Sequence, residues 1–447
     1  MYIDNSNIIL SDITLKKNYA YYGGAIYCDD SYLQLNTVLI DSNTAIDGGG
    51  IYSDYSNLYF NKVTVSNNIA ENAAGGISVF GETLLDMYDC SIVANKGGYF
   101  AGGIYASLWT NLNIRKCIFS ENQANDMGGA LYMADESLAK IENSNFLNNK
   151  CTGEYGGGGA INIEMMSNLV MKNSLIIKND ATFGGAGILC TDADLQLINV
   201  TISGNRSNYA GGALYFQSVS NPVIINSIIY NNSPSKIAFV DVFDSEISVA
   251  YSLIQGGQSG IDKGDYGTVN WLDGNINVNP LFVNLRSNDF ALQYNSPCIG
   301  AGIDSIQISD STYYAPEFDY YSNIRPNPAG SSPDLGAIEN KYGEPTSIYV
   351  ESGELPLEFS LHQNYPNPFN PKTVIQYVIG AIHESPVQVD LSIYNSLGQK
   401  VCTLVSKKQS AGQYSVEWDA SEFASSIYFY RLQSGPHIQV RKMLFIK

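Results

Sequence analysis

Histidine is almost absent from this chain of 447 residues, and its placement excludes several kinds of chemistry. The three histidines are His362, His383 and His437, so the long N-terminal part contains none. Ser-His-Asp triads, Cys-His pairs and most zinc sites need an imidazole, and that part of the chain therefore has none of them. The paired carboxylates of glycoside hydrolysis stay open there, because any Asp or Glu residues that the fold brings together would qualify.

Basic residues are also scarce, which limits the partners. Lys and Arg total 24 against 43 Asp and Glu, and the formal net charge is -19. An acidic surface of this kind repels nucleic acid and anionic membranes, so we predict neither as a partner. The sequence also lacks a run of about 20 apolar residues, the length that a membrane-spanning helix needs, and no transmembrane segment is predicted.

The abundant feature is a repeat. An asparagine recurs nine times at intervals of 25 to 30 residues, each time three residues after an apolar residue. A glycine motif ending in Ile or Leu follows each of the first eight, as in Gly23-Gly24-Ala25-Ile26. The nine residues are Asn18, Asn43, Asn68, Asn95, Asn122, Asn149, Asn179, Asn205 and Asn232. A period in this range is typical of a solenoid.

Each repeat holds three short β-rich stretches, for example Ala25 to Cys28, Tyr32 to Asn36 and Thr37 to Asp41. The simple solution is a coil with one strand per face, stacked in parallel on the next coil at a rise of about 4.8 Å. An asparagine at the same turn of every coil can then form a ladder of side-chain amides that pairs inward-facing backbone groups. We predict this structural role for the nine asparagines. A second, partial ladder is predicted at Asn36, Asn61, Asn143, Asn173, Asn199 and Asn226.

The repeats resemble those of polymorphic membrane proteins, which carry GGAI-type and FxxN-type motifs. The matching segments include Gly23-Gly24-Ala25-Ile26, Gly128-Gly129-Ala130-Leu131, Gly158-Gly159-Ala160-Ile161 and Phe119-Ser120-Glu121-Asn122. The resemblance implies a right-handed parallel β-helix of the pectate-lyase-like class. We predict it over residues 1–340, with regular repeats over 1–232 and irregular last coils and a cap over 233–340. The last part carries Asn279-Pro280-Leu281-Phe282, Ser296-Pro297-Cys298-Ile299 and Pro333-Asp334-Leu335-Gly336 in this order. With these segments it also resembles the closing segment of bacterial β-helix surface proteins.

The C-terminal part has a different pattern. Residues 341–354 are rich in Gly, Pro, Ser and Glu and are predicted to form a linker. Beyond them, the spacing of strands and turns predicts a small antiparallel β-sandwich over residues 355–447. The six predicted strands are Val374 to Ile379, Val387 to Tyr394, Lys400 to Val405, Gln413 to Trp418, Ile427 to Leu432 and Gln439 to Ile446.

Residues 355–447 closely resemble the type A C-terminal sorting domain of type IX secretion. The residues that carry the resemblance include Asn364, Tyr365, Pro366, Asn367, Pro368, Phe369, Asn370, Pro371, Gly398 and Lys442. One departure is Ser426, where a glycine is usual. The resemblance implies export by the type IX secretion machinery and attachment at the outer cell surface. The predicted location is therefore extracellular or on the outer surface of the cell.

The chain starts in the middle of a repeat, since Met1-Tyr2-Ile3-Asp4 aligns with Ile51-Tyr52-Ser53-Asp54. No basic segment followed by an apolar one precedes the first coil, so no export signal is recognised. We therefore expect the natural protein to have a further N-terminal part.

The turn after the Ile-Tyr strand of each repeat is rich in carboxylates and is the candidate site of the repeat unit. Its predicted residues are Asp29, Asp30, Asp54, Asp135, Glu164 and Asp192. Carboxylates from neighbouring coils can bind calcium through oxygen ligands, and this turn is accordingly a candidate calcium or glycan site. The alternative is a solvated acidic edge. No other cofactor and no other metal is predicted.

Tyrosines recur directly after the Ile or Leu of the glycine motif, and strand alternation predicts that they face outward. They are Tyr27, Tyr52, Tyr105, Tyr132 and Tyr215. An exposed aromatic stripe can stack on sugar rings. The alternative is strand packing without a ligand.

Two functions are compatible with these features. The predicted one is a secreted or cell-surface β-helix with an adhesive, glycan-binding or structural role, whose partner is an extracellular glycan or the surface of a host or neighbouring cell. The alternative is a polysaccharide lyase or glycoside hydrolase acting on an acidic extracellular glycan. A groove that holds clustered carboxylates with a basic residue would favour the enzyme. The regular repeats have only two arginines, Arg115 and Arg206, and show no lyase motif.

Overall fold

The computed structural model describes residues 1–234, 236–240, 245–264, 267–343, 359–364, 366–379, 387–409, 412–435 and 437–447. The chain has two compact units, residues 1–344 and 345–447. Most of the predicted linker, together with Tyr365 and His383, lies outside the described residues. Within the described ranges the only helical element is a 3-10 helix at Gln258–Gly260, and no helix has the length and apolar character needed to span a membrane.

The first unit is a stack of coils whose strands form three long parallel sheets, so the predicted parallel β-helix is confirmed. Sheet one contains Tyr2–Asp4, Ile26–Asp29, Ile51–Asp54, Ile77–Phe80, Ile104–Ala106, Leu131–Met133, Ile161–Glu164, Ile188–Thr191, Leu214–Gln217, Ile237–Val240 and Ile261–Asp262. Sheet two contains Asn7–Ser11, Tyr32–Asn36, Asn57–Asn61, Leu84–Tyr88, Asn111–Arg115, Leu138–Glu142, Asn168–Lys172, Asp194–Ile198, Val223–Ile225, Glu246–Ala250 and Thr268–Trp271. Sheet three contains Thr14–Lys16, Leu39–Asp41, Thr64–Ser66, Ser91–Val93, Ile118–Ser120, Asn145–Leu147, Leu175–Ile177, Thr201–Ser203, Ile228–Tyr230 and Leu253–Ile254.

Shorter strands complete this unit. Two-residue strands pair in parallel between sheets three and one, at Thr44–Ala45 with Ile69–Ala70 and at Gln123–Ala124, Lys150–Cys151, Asp180–Ala181 and Arg206–Ser207. After the coils come two antiparallel pairs, Phe282–Asn284 with Asp289–Leu292 and Ser305–Ile308 with Ser311–Tyr314.

The core of the first unit runs along the inside of the stack. Successive side chains of a strand point to opposite faces, and in sheet one the register places Ile26 beside Ile51 and Ile51 beside Ile77, all fully buried. In sheet three the rings of Phe119 and Phe146 stack with 4.6 Å between their centroids. Columns of like residues therefore build one continuous apolar core from coil to coil.

The glycine motif forms the turn that leads into sheet one. Gly128 has a positive φ of 67°, and a Cβ atom placed on it would lie 2.4 Å from the carbonyl oxygen of Leu131. Glycine is the residue that accepts such a backbone and such a close approach. This explains why the motif recurs once per coil.

The nine repeated asparagines form one hydrogen-bonded ladder on the turn that follows sheet three. The Nδ2 atom of each donates to the Oδ1 atom of the next at 2.8 to 3.0 Å. Asn122 also donates from Nδ2 to the carbonyl of Ile92 at 2.8 Å and accepts the backbone N–H of Asn95 at 3.1 Å. Since Ile92 lies three positions before Asn95, the ladder explains the spacing of the apolar residue and the asparagine.

The segment after the coils folds back over the outer face of sheet three. Apolar side chains of residues 282–338 bury the outward side chains of Leu175, Ile177, Ile228 and Leu253. Four asparagines of the second predicted ladder hold this segment, because Asn143, Asn173, Asn199 and Asn226 donate to the carbonyls of Asp319, Phe318, Asp334 and Ile303. One bond of the expected ladder is present, from Nδ2 of Asn226 to Oδ1 of Asn199 at 3.3 Å, but the other hydrogen bonds of these four residues go mainly to this segment and not to the neighbouring coil.

A buried ion pair fixes the folded-back segment. The Nε atom of Arg325 lies 2.8 Å from Oε2 of Glu339, and both side chains are fully buried. Asp334 accepts the backbone N–H groups of Gly300 and Asn340 beside this pair. Burial and, next, the negative charge of Glu339 raise the pKa of Asp334 to about 8.

The second unit is the predicted small antiparallel β-sandwich, and its fold is confirmed. One sheet contains Ser360–Leu361, Lys372–Ile379 and Gly412–Asp419, and the other contains Lys400–Gln409, Val387–Tyr394, Ser426–Ser434 and His437–Phe445. The two sheets share one apolar core. All six predicted strands are present, most of them longer than predicted.

Candidate functional site

Aromatic side chains form a column on the outer face of sheet one. In register along the strands, Tyr2 stacks on Tyr27 and Tyr27 on Tyr52, with centroids 5.2 and 5.4 Å apart and planes within 5° of parallel. Phe80 bridges the next coil, 5.3 Å from Tyr52 and 5.1 Å from Tyr105. Tyr105 then stacks on Tyr132 at 5.0 Å.

The column is a self-stacked surface, which limits what it can bind. Most rings pack a face against a ring of the neighbouring coil, as offset-stacked aromatic pairs prefer, while Phe80 meets Tyr105 edge to face. Tyr132 is 5% exposed, and Tyr215 is fully buried in a cluster with Leu189 and Phe183. The predicted stripe faces outward, but loop residues cover its C-terminal end. Tyr215 is therefore excluded from any sugar-stacking surface.

The predicted acidic turn is distributed over several coils. Asp29 and Asp54 are neighbours in register, and Asp4, which sequence reasoning missed, extends the same column. Burial, followed by the charge of Asp29, raises the pKa of Asp54. Asp30, Asp135 and Asp192 lie at the same turn of other coils, all with positive φ.

The acidic turn shows no metal centre in the part of the chain that the structure describes. There, no three His, Cys, Asp or Glu side chains come close enough together to hold an ion. Calcium binding at this turn stays a prediction.

Glu164 and Tyr132 form a hydrogen-bonded pair on this face, and the pKa values of both are raised. The Tyr132 hydroxyl donates to Oε1 of Glu164. Burial raises the pKa of Glu164 above its usual range, and it also raises the pKa of Tyr132, with the charge of Glu164 as the second cause. On the neighbouring coil the Ser107 hydroxyl donates to Asp135. Ser107 thus supplies a hydrogen-bond donor at a turn where other coils have a carboxylate.

Three tyrosines with well-exposed rings mark the edge between sheets three and one. Tyr99, Tyr155 and Tyr209 are 54%, 69% and 61% exposed. The backbone N–H of Asp126 donates to the carbonyl of Tyr99, and that of Gly157 donates to the carbonyl of Asp126. In the same way, the N–H of Tyr209 donates to the carbonyl of Phe183, and that of Phe183 donates to the carbonyl of Gly156. Tyr155 is thus two coils from Tyr99 and two from Tyr209, a spacing of about 9.6 Å at each step.

These loop tyrosines differ from the column in having accessible ring faces. Tyr209 stacks one face on Phe183 at 5.3 Å. The tyrosine stripe predicted from the sequence includes none of these three residues. Their shared position, two or three residues before the glycine motif, is the sequence signal that could have identified them. We call Tyr99, Tyr155 and Tyr209 the tyrosine edge.

A charged groove of about 270 Å³ lies on the outer face of sheet two. It is lined by Asp86, Asn113, Arg115, Lys140 and Glu142. Nη2 of Arg115 lies 2.7 Å from Oδ1 of Asp86, and the Arg115 side chain is half exposed. Two carboxylates with two basic residues are the combination that would favour an enzyme.

Asn364 and Phe369 of the sorting motif are buried in the second unit. The backbone N–H of Asn364 donates to the Tyr430 hydroxyl at 2.8 Å, and its side chain donates to Thr373 at 2.9 Å. Phe369 is buried between Trp418 and Phe445. The remaining described residues of the motif are exposed, at Pro366, Asn367, Pro368, Asn370, Pro371, Gly398 and Lys442.

Fold and sequence together define a β-helix protein of the secreted or cell-surface class that carries a C-terminal sorting domain. Residues 1–170 match the model of the right handed beta helix region, and residues 199–217 match the Chlamydia polymorphic membrane protein repeat. Residues 363–447 match the model of the secretion system C-terminal sorting domain, which implies the type IX machinery.

Two curated proteins are similar to the β-helix. Probable autotransporter YfaL of Escherichia coli (strain K12) is 32% identical over 138 residues, 28% of this chain and 11% of that protein. Metabotropic glutamate receptor-like protein R of Dictyostelium discoideum is 26% identical over 187 residues, 36% of this chain and 11% of that protein. The chain thus spans 11% of the length of each of these relatives. No solved structure matches it significantly.

Proposed function

We propose that the β-helix is a non-catalytic adhesive domain that holds an extended extracellular carbohydrate across the tyrosine edge. The carbohydrate belongs to the extracellular matrix or to the surface of a host or neighbouring cell. The observation that carries this proposal is the regular spacing of Tyr99, Tyr155 and Tyr209, with exposed rings two coils apart. The similarity to a probable autotransporter supports a role at the cell surface.

The physical argument rests on repetition. Sugar rings present C–H faces that stack on aromatic side chains, and a spacing of two coils accommodates two sugar units of an extended chain. Each contact is weak, but several contacts to one chain act together through a high effective concentration. The adjacent carboxylates, such as Asp126 between Tyr99 and Tyr155, accept hydrogen bonds from sugar hydroxyls. Neutral or amino sugars fit this acidic surface better than uronates.

The test is a glycan array followed by titration calorimetry with the best oligosaccharide. Tyr155→Ala should weaken binding about 3- to 10-fold, from the loss of about 0.5–1.5 kcal/mol for one aromatic contact. Tyr314→Ala removes a tyrosine of similar exposure, 61%, on the strand Ser311–Tyr314 and is the matched control. Equal losses for the two variants, or an array without any hit, would contradict the proposal.

A second candidate function comes from the charged groove on sheet two. We infer that, if the β-helix cleaves an acidic glycan, the reaction takes place beside Arg115 and Lys140, which can pair with a uronate, with Glu142 as the proton-transferring group. An assay for unsaturated and for reducing ends on uronate-containing polysaccharides decides this. Cleavage that disappears in Glu142→Gln and persists in Glu164→Gln would place the chemistry here. Absence of cleavage by the wild-type protein would remove this candidate.

A further inference from the structure

An exposed apolar ridge lies on the turn between sheets one and two, away from the tyrosine edge. It consists of Leu108, Trp109, Leu138, Met165 and Met166, which we call the Trp109 ridge. Trp109 is 52% exposed, and Met165 and Met166 are 51% and 66% exposed. Single exposed apolar residues are common on protein surfaces, but several of them on neighbouring coils make a candidate interaction site.

The residues of the ridge come from three successive coils, and the middle coil places Asp135 and Glu136 between Trp109 and the two methionines. The backbone N–H of Trp109 donates to the carbonyl of Asp135, and that of Glu136 donates to the carbonyl of Met165, both at 2.9 Å. Trp109, Glu136 and Met166 are therefore stacked one coil apart. The ridge extends about 9.6 Å along the stack, twice the rise of one coil.

The backbone of the turn presents the ridge to solvent. Leu108, Trp109, Met165 and Met166 all have positive φ, between 53° and 62°. Tyr55, Glu82, Glu136 and Asp192 occupy the same conformation at this turn of other coils. The left-handed region favours Gly, Asn and Asp and is costly for bulky side chains. The conformation therefore belongs to this turn throughout the stack, and the ridge fills it with apolar side chains although polar residues suit it better.

The charge around the ridge determines the kind of partner. Glu82, Asp135, Glu136 and Asp192 lie on the same turn, and its residues at positions 80–83, 107–110, 134–137, 164–167 and 191–193 include no Lys or Arg. Lys140 lies two residues beyond Leu138 on the same strand, so basic side chains begin on that side of the ridge. On the turn itself, acidic side chains alternate with apolar ones, which is complementary to a basic partner with apolar side chains.

We propose that the Trp109 ridge docks a cationic, partly apolar polypeptide segment of another protein. Methionine side chains adapt to irregular apolar surfaces and are common where proteins bind peptides. Leu and Met offer no hydrogen bonds to sugar hydroxyls, so the ridge suits a polypeptide better than a carbohydrate. This surface is independent of the carbohydrate proposed for the tyrosine edge, and either proposal can fail alone.

The test uses Trp109 as an intrinsic fluorescent reporter in the full chain. The two other tryptophans, Trp271 and Trp418, are replaced by Phe, so that emission comes from the ridge alone. The probe is a synthetic peptide of alternating Lys and Leu. Its controls replace every Lys by Glu or every Leu by Ser. We expect a saturable blue shift with the first peptide only, and weaker binding in high salt.

Matched variants separate the ridge from general charge attraction. The double variant Met165→Asn, Met166→Asn keeps the net charge and should weaken peptide binding by about tenfold or more, as expected for central apolar contacts. Ile118→Asn replaces an apolar residue of 44% exposure on sheet three and should leave affinity unchanged. Equal affinity of the double variant would overturn the proposal. So would preferential binding of the Glu peptide, of lipid vesicles or of oligosaccharides at this ridge, or self-association that the double variant abolishes.

Discussion

Replacing Asn122, in the middle of the asparagine ladder, should destabilise the β-helix strongly although the side chain is polar. Its Nδ2 atom donates to Asn149 at 3.0 Å and to the carbonyl of Ile92 at 2.8 Å. Its Oδ1 atom accepts the Nδ2 group of Asn95 at 3.0 Å and the backbone N–H of Asn95 at 3.1 Å. All of these groups are buried, so water cannot replace the lost partner without opening the coil.

The magnitude follows from the groups left without a partner. Asn122→Ala leaves the N–H of Asn95 and one hydrogen of its Nδ2 group unpaired, and it removes one hydrogen bond from the carbonyl of Ile92. At about 1–3 kcal/mol for each of the two buried unpaired groups, we expect a loss of about 2–6 kcal/mol in the free energy of unfolding. That is comparable with the whole stability of a typical domain, which is about 5–15 kcal/mol.

Urea unfolding, together with hydrogen exchange at the neighbouring coils, measures this loss. In a stack each coil contacts only its neighbours, so exchange should increase first in the coils that contain Asn95 and Asn149. Asn111→Ala is the control, because Asn111 is exposed on the same coil and surface substitutions usually change stability by about 0.5 kcal/mol or less. If both variants lose the same free energy, the ladder does not stabilise the fold.

Three further predictions follow from other parts of the chain. Met166→Gly should leave the stability unchanged or raise it by about 1 kcal/mol, because glycine accepts the positive φ without strain, and urea unfolding that shows a clear loss would contradict the strain argument. Asp334 has a pKa of about 8 when folded, above the value of about 3.9 expected when unfolded. The docking of residues 282–340 should therefore be most stable below about pH 3.9 and weaken as the pH rises through about 8. Hydrogen exchange of this segment measures the effect, and Asp334→Asn should abolish its dependence on pH. Deleting residues 355–447 in a native host should leave the protein inside the cell envelope, as cell fractionation and surface labelling would show, and unchanged surface display would refute the sorting role.

The fold could be predicted because its signals are local and repeated. The spacing between Ile92 and Asn95 is imposed by a hydrogen bond that recurs in every coil, so it appears nine times in the sequence. The burial of Tyr215 has no such signal, since it depends on Phe183 from a neighbouring loop. Asn173 and Asn199 recur like ladder residues, yet their Nδ2 groups donate to carbonyls more than 130 residues away. Periodicity therefore identifies a turn position but cannot name a partner that comes from outside the repeat.

The same reasoning limits where a ligand can bind to the first unit. The C-terminal half of sheet three is covered by the segment that Arg325 and Glu339 fix in place. The outer face of sheet one uses its aromatic faces in stacking from Tyr2 to Tyr132. Among the described residues, the accessible surfaces that break the repeat include the two edges of sheet one and the charged groove of sheet two. Because a regular coil repeats the same chemistry, specificity must come from the coils that depart from the pattern. Trp109, Tyr155 and Met166 lie in such coils, and this is why their variants are the most informative ones to make.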